Sequence, residues 1–490
     1  MIANHPLIMS RHELESLFPS HSRTPSPPPS EDDSYSYPEP SLTPPASPPS
    51  SPSIDQHLHH QTLFRLLPTS KIPARIQLNE WIGIALEAVT EFGGYKSGTS
   101  CTFHLKDGQT LLPLDCCLLL EHDGQISCQS PMLDQGLRVE KRALQSANWH
   151  GLEDLSAPGI GPSGRGGLEF RVVATRQEAP TTFWISIGAE RDQGIVPMVL
   201  GPGSPSDYAS DTTDQMRQVV RPINIPQFGS ATPRVMLLRE AWNNVPQGRV
   251  WDSAFALTDM FSRAVQNGIR DATPAMFAGK RILDLSAGTG LLGVFIAGLA
   301  QTELEAWSAR RSLSTCASTS PTATLATTLH TTLPACRSNS SSSSTPSSLA
   351  VNTNVNVAPL PPTAVILTDL EVAMDLIHYN IAFNQQRIAP NVQVLAKELR
   401  WGEVNLELLG LEPLDAVIAS DVVYEEKNIG VLLQTLYTVC TPGHTTLYLG
   451  YKRRPLSMHC EAYFFERIQE MFNVVETRQE LGVHVWLLKR

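Results

Sequence analysis

From about residue 220 to the end of the chain, short apolar runs alternate with longer stretches of helical periodicity. The apolar runs are "RILDLS" (Arg281–Ser286), "AVILTD" (Ala364–Asp369), "VQVLAKEL" (Val392–Leu399), "DAVIAS" (Asp415–Ser420) and "TTLYLGYK" (Thr445–Lys452). Helical patterns fall between or after them, at Leu291–Ala300, Glu371–Asn384, Lys427–Val439 and Glu461–Phe472. A strand without polar alternation is apolar on both faces, and helices on both sides of a parallel sheet supply that environment. The alternation therefore predicts an α/β domain over 220–490.

The rest of the chain reads differently. Residues 1–60 include "PSHSRTPSPPPSEDDSYSYPEPSLTPPASPPSSPS", which cannot bury enough apolar surface to offset its ordering entropy and is expected to be a disordered tail. A Ser/Thr/Ala/Pro-rich stretch over about 307–362 reads as a disordered insertion after the first helix. Residues 61–200 are expected to form an accessory region, largely β, and 201–219 a linker. Within that region "LNEWIGIALEAVTEF" places Leu78, Trp81, Ile82, Ala85, Leu86 and Val89 on one helical face and predicts a helix. The Asp107-Gly108 and Asp123-Gly124 steps signal hairpins, and "LEFRVVATRQEAPTTFWISIG" (Leu168–Gly188) predicts another.

A net charge of −11 weighs against a general nucleic-acid binder. No stretch approaches the ~18 apolar residues of a membrane span, and the first residues lack the apolar core of a secretory leader. The eight cysteines show no metal-like spacing and are expected to be reduced thiols. The expected setting is the cytoplasm, with the nucleus as a second location, and no metal is expected.

The turn after the first α/β strand carries the chemistry. In "RILDLSAGTGLLG", Gly288, Gly290 and Gly293 satisfy G-x-G-x-x-G between a strand and a helix, the context of a dinucleotide site. No Lys-Ser or Lys-Thr follows, which excludes a Walker-type phosphate loop. Asp284, inside the strand, favours a ligand with a cationic end over a pyrophosphate. Asp369 closes the second strand, where a carboxylate accepts hydrogen bonds from ribose hydroxyls. S-adenosylmethionine fits this set better than NAD.

"DLSAGTGLLG", "ILTDLEVAMDLIHYNIAFN", "KELRWGE" and "DAVIASDVVYEEKNIGVLLQTL" stand in the order found in seven-β-strand methyltransferases. Together with "GRVWDSAFALTDMF" (Gly248–Phe261) they resemble the methyltransferase-like protein-lysine methyltransferases, a group also labelled nicotinamide N-methyltransferase-like. The resemblance covers a little over half of the chain. It implies a Rossmann-like seven-stranded sheet and S-adenosylmethionine as cofactor. Carried over by position, Ser286, Ala287, Gly288, Thr289 and Gly290 form the cofactor loop, with Asp284 and Asp369 beside it. Trp401 of the "W-G" pair lies beside the adenine, Trp251 lines the methionine side, and Ser420 takes the small-residue position under the cofactor. Asp421 and Tyr424 of "SDVVY" are the implied catalytic residues, Asp421 orienting an amine. The group usually has Gly at position 286 and Ala at position 420, where this chain has Ser.

The expected activity is methylation of a lysine on a protein partner by a monomeric enzyme, with no nucleic-acid partner. A small-molecule amine N-methyltransferase is the alternative within the class. A NAD-dependent oxidoreductase and a non-catalytic binding module are the alternatives outside it.

Overall fold

A computed structural model describes residues 63–318 and 360–490, apart from short internal stretches of which the longest are 93–104, 146–154, 204–217 and 405–412. The expected tail, most of the expected linker and most of the expected insertion lie outside the described residues.

Two sheets organise the chain. The first has twelve strands, from Phe64–Pro68 to Arg234–Ala241, and its pairings are antiparallel except where Phe64–Pro68 meets Ile195–Val196. Leu66, Leu86, Leu114, Leu168, Phe170 and Ile185 fill its core.

Four expectations are corrected here. The segment read as a helix over 78–89 is a strand, Ile82–Val89, paired with Phe64–Pro68 on one edge and Arg165–Ala174 on the other. Because most of its residues are buried, the polar alternation that marks a strand is lost, and the surviving apolar spacing imitates a helix. Arg165–Ala174 and Phe183–Ala189 are not a hairpin; they pair with different neighbours. The sheet also takes Gln218–Ile225 and Arg234–Ala241, so its last two strands run past the boundary expected at 220. Cys117 and Cys128 meet sulfur to sulfur on neighbouring strands, so the expectation of reduced thiols does not extend to this pair.

The second sheet has seven strands: β1 (Arg281–Leu285), β2 (Thr363–Asp369), β3 (Val392–Glu398), β4 (Ala416–Ser420), β5 (Thr446–Tyr451), β6 (Asn473–Glu480) and β7 (Val483–Lys489). Their order is β3-β2-β1-β4-β5-β7-β6. The first five are parallel, and β7 is antiparallel to both β5 and β6. Among the described residues five α-helices accompany them: α1 (Asp252–Asp271), α2 (Leu291–Ser318), α3 (Glu371–Asn384), α4 (Ile429–Val439) and α5 (Met458–Met471). Helix α2 extends past Trp307, into the segment expected to be an insertion.

The strand residues divide by parity. Ile282, Val365, Leu367 and Ile418 face a core shared with α1, α2 and α3, whereas Leu283, Leu285, Ile366, Val417 and Ala419 face the core under α4 and α5. This two-sided burial is why the strands read as continuous apolar runs.

The two sheets are joined by more than apolar contact. Asn384 Oδ1 accepts the Leu237 N–H at 3.0 Å while its Nδ2 donates to the Leu237 carbonyl at 2.7 Å. Asn380, one turn earlier, does the same for Arg239. Helix α3 thus satisfies the edge of the last strand of the first sheet, which would otherwise bury unpaired backbone groups. Asn384→Leu should leave both Leu237 groups unpaired and cost about 2–4 kcal/mol. A shifted denaturant midpoint with an unchanged m-value would show it; an unchanged midpoint would contradict the joint.

Candidate active site

The carboxyl ends of β1, β2 and β4 open on a cavity of about 560 Å³. The local backbone explains why the loop after β1 can form its floor. Gly288 has φ +57° and Gly290 φ +79°, left-handed values that glycine tolerates. A Cβ on Gly290 would come within 2.9 Å of Leu367 Cδ2, and one on Gly293 closer still, so these two glycines let α2 pack onto β2. A Cβ on Gly288 would sit 3.4 Å from the Gln247 carbonyl oxygen, on the cavity side. Ser286 also has a positive φ, +61°, which gives a reason for glycine at this place in the resembled group.

Hydrogen bonds fix the loop. The Gly288 N–H donates to Asp369 Oδ2 at 2.8 Å, and the Ala287 N–H donates to the Thr368 carbonyl at 2.8 Å. Asp369 Oδ1 accepts its neighbour Leu370's N–H at 2.7 Å. Burial pushes the Asp369 carboxyl above its ordinary pKa, and these two N–H groups oppose that rise. Trp401 Nε1 donates to Ser286 Oγ at 3.0 Å, which pins the indole against the loop.

Of the residues singled out from sequence, Trp251, Ser286, Gly288, Asp369, Trp401, Ser420, Asp421 and Tyr424 line this one cavity. Ala287, Thr289, Gly290 and Asp284 lie behind its wall. The Thr289 carbonyl accepts from Asn380 Nδ2, and Gly290 N–H donates back to Ala287. Asp284 turns its Oδ2 to the Gly293 N–H at 2.9 Å, bracing the start of α2.

At the other end of the cavity, β4 stops at Ser420, whose buried hydroxyl has no hydrogen-bond partner among the described residues. Asp421 follows in a left-handed conformation, φ +54°. Its Oδ2 accepts the Ser253 N–H at 3.1 Å, at the N-terminus of α1, and its Oδ1 lies 2.6 Å from Arg454 Nη2. Burial raises the Asp421 pKa; the Arg454 charge opposes this and the charge of Glu91 adds to it. Tyr424, 47% exposed, stands at the rim with its ring 6.3 Å from that of Trp401, and burial of its hydroxyl end raises its pKa.

Three functional-looking residues escaped the sequence reading. Arg454, just past the apolar run Thr445–Lys452, lines the cavity. Phe92 lines it from the first sheet, and Glu91 pairs with Arg454 at 2.6 Å. The Glu91–Arg454 pair spans 363 positions, so no local spacing could have announced it. Among the described residues no group of His, Cys, Asp and Glu is arranged to hold a metal.

These features define a cavity at the carboxyl ends of a parallel sheet, with a glycine-rich turn on one side, a strand-ending acid beside it and a second acid across from them. Comparison with known proteins narrows the class. Residues 231–308 and 349–471 match the family model described as lysine methyltransferase. Over 137 residues the chain is 30% identical to Protein N-lysine methyltransferase METTL21A of Mus musculus, covering 26% of this chain and 58% of that one. Over 220 residues it is 25% identical to EEF1A lysine methyltransferase 3 of Mus musculus, covering 45% of this chain and 61% of that one. The chain thus spans under two thirds of the length of these relatives. A solved structure described as a putative O-methyltransferase from Nostoc punctiforme aligns at 12% identity and a TM-score of 0.23, covering 48% of this chain and 59% of that one; such a score carries no argument. The description of the family model matching these two segments agrees with the group that the sequence motifs resemble.

Burial raises the Asp284 pKa from an ordinary 3.8 to about 7, against the Gly293 N–H and with a further push from Asp369. The folded state therefore holds this proton more tightly than the unfolded one. Its contribution to stability is full below about pH 4 and is lost as the pH rises towards about 7. Asp284→Asn keeps an acceptor for Gly293 without the ionisation. Between pH 4 and 7.5 the variant should gain on wild type by up to roughly 4 kcal/mol. Parallel pH dependences in chemical denaturation would refute a buried, proton-holding Asp284.

Proposed function

We propose that this chain is an S-adenosylmethionine-dependent methyltransferase that modifies a lysine side chain of a protein. One observation carries the reading. The cavity-lining residues singled out from sequence, Trp251 to Tyr424, all fall inside the two segments that match the lysine methyltransferase family model. The strand order β3-β2-β1-β4-β5-β7-β6, with its one reversed strand, supports the seven-stranded methyltransferase layout.

The chain's own groups fit the cofactor. Asp369 uses one acceptor site on each oxygen for backbone N–H groups, and a carboxylate has further lone pairs for ribose hydroxyls. The bare Cα of Gly288 leaves room for a ligand to approach the backbone. The Trp401 indole, fixed by Ser286, offers a face to the adenine. The unpartnered Ser420 hydroxyl, in the cavity wall, awaits a polar group. When bound, the cofactor supplies a methyl group on a sulfonium, an excellent leaving group.

What remains for the protein is alignment and a neutral amine. A free lysine has a pKa near ~10.4, so the acceptor must shed a proton on leaving water. The apolar side chains in the cavity wall, among them Phe92, Trp251, Leu399 and Val431, help it do so. Asp421, held in place from two sides, accepts an N–H of the arriving amine and turns the nitrogen lone pair towards the cofactor site. Holding the partners in line supplies several kcal/mol of the barrier lowering. The same reading has the chain act as a monomer, in the cytoplasm or nucleus, on a protein and not on nucleic acid; the net charge of −11 supports the last point.

The test uses the full chain, methyl-labelled cofactor and desalted cell extract. Label should appear in a protein band whose hydrolysate contains methyl-lysine. Asp421→Asn should bind cofactor within about threefold of wild type and transfer methyl at least ~100-fold more slowly, because the loss falls on the transition state. Asp369→Ala should instead weaken cofactor binding by roughly 1–3 kcal/mol. Label confined to small molecules would overturn the acceptor assignment, and wild-type transfer by Asp421→Asn would remove that residue from the mechanism.

A further inference from the structure

The strand Ile82–Val89 leads into Glu91, which pairs with the lining residue Arg454, and Phe92, which reaches the cavity itself. Among the described lining residues, Phe92 is the one that the twelve-stranded part of the chain contributes. It is 56% exposed, and its ring meets that of Trp251 edge to face at 5.8 Å. The Arg454 guanidinium lies 5.4 Å from the Phe92 ring centre and 4.8 Å from that of Trp251. An aromatic ring left half in water at a cavity mouth, backed by a second ring, presents an apolar wall to whatever enters there.

Glu91 does the opposite. It is buried, accepts the Asp252 N–H at 3.0 Å through Oε2, and takes Arg454 Nη1 at 2.6 Å on Oε1. The same Arg454 holds Asp421 through its other nitrogen at 2.6 Å. Arg454 is therefore a bridge with one anchor in each sheet. Without Glu91 the guanidinium keeps a single carboxylate partner, and the orientation of Asp421 loses its outer support.

We infer that the first sheet takes part in choosing and orienting the acceptor: Phe92 is a specificity residue that, with Trp251, walls the channel for the acceptor's aliphatic stem, and Glu91 is a positioning residue that acts on Asp421 through Arg454. This rests on the methyltransferase reading above. The chemistry fits a lysine, whose four methylenes match an apolar wall and whose terminal nitrogen reaches the carboxylate beyond it. A planar ring or a short amine would leave most of that wall uncovered.

The test measures transfer by the full chain with desalted cell-extract protein as the titrated acceptor, alongside calorimetric cofactor binding. Phe92→Ala should raise the apparent KM for extract protein at least tenfold with kcat nearly unchanged, and Phe92→Leu should restore most of it. Glu91→Gln should lower kcat at least tenfold with the apparent KM within twofold. Both should bind cofactor within twofold of wild type, a readout that also reports folding. Should Glu91→Gln fail to fold, Arg454→Lys, which keeps the charge but not the two-pronged bridge, should give the same fall in kcat. If wild type labels protein and these variants match it in KM and kcat, the inference is overturned and the methyltransferase reading stands. If wild type labels only small molecules, the inference and the protein-lysine assignment are both overturned, while methyl transfer itself stands.

Discussion

Six charged side chains of alternating sign run through the joint between the two sheets. Arg65 binds Asp252 at 2.7 Å, Asp252 also binds Lys452, Lys452 approaches Glu91 at 3.4 Å, Glu91 binds Arg454, and Arg454 binds Asp421. Asp252, Glu91 and Asp421 are nearly inaccessible to water, as are Arg65 and Arg454. Taking such charges out of water costs several kcal/mol for each ion, and this is offset only while every partner is present. Burial works against the Arg454 charge, yet the carboxylates of Asp421 and Glu91 raise its pKa overall; Arg454 and Lys452 in turn hold Glu91 below its usual value despite its burial. A second buried pair, Arg221 with Glu240 at 2.6 Å, stands beside the chain of charges, and Glu240 accepts the Val250 N–H at the approach to α1.

This arrangement makes the two sheets one functional body. Arg65 and Glu91 come from the first sheet; Asp252, Asp421, Lys452 and Arg454 come from the second half. Each set sums to zero, but Arg65 and Glu91 find their charged partners across the joint, in Asp252, Lys452 and Arg454. The N-terminus of α1 is where they meet: the first free N–H groups of that helix go to Glu91 and Asp421, acids drawn from opposite sides of the joint. Asp421 is thus placed at the cavity by a helix end and an arginine, both positioned by the accessory sheet. On the far side of the cavity the glycine loop is held by Asp369 from within the α/β domain, and through Thr289 and Asn380 it is tied to the first sheet's last strand.

How much of this the sequence revealed depends on the range of the interaction. Strands β1, β2, β4 and β5 are legible to within a residue or two because burial on both faces writes itself as an apolar run; the edge strand β3, exposed at Gln393 and Leu395, and helix α3 are legible from their own periodicity. The glycine loop and Asp369 are legible because a tight strand–helix turn and a strand-ending acid stand in a recognisable local context, whereas Trp401 and Asp421 were singled out only through the resemblance to the methyltransferase group. Ile82–Val89 was misread because its neighbours, not its own spacing, make it a strand. The pairing of Arg165–Ala174 away from Phe183–Ala189 is likewise a matter of long-range register. Glu91, Phe92 and Arg454 carry no local signature at all. Asp284 shows a subtler gap: the sequence places an acid near the loop, but only the fold shows its carboxyl turned inward to Gly293 and away from the cavity.

The central claim is that the cavity between β1, β2 and β4 is built for S-adenosylmethionine. Calorimetric titration of the full chain with S-adenosylmethionine, and in parallel with NAD, tests it most directly. Saturable binding of S-adenosylmethionine to a single site and no measurable binding of NAD are expected. Binding of NAD in place of S-adenosylmethionine would contradict it.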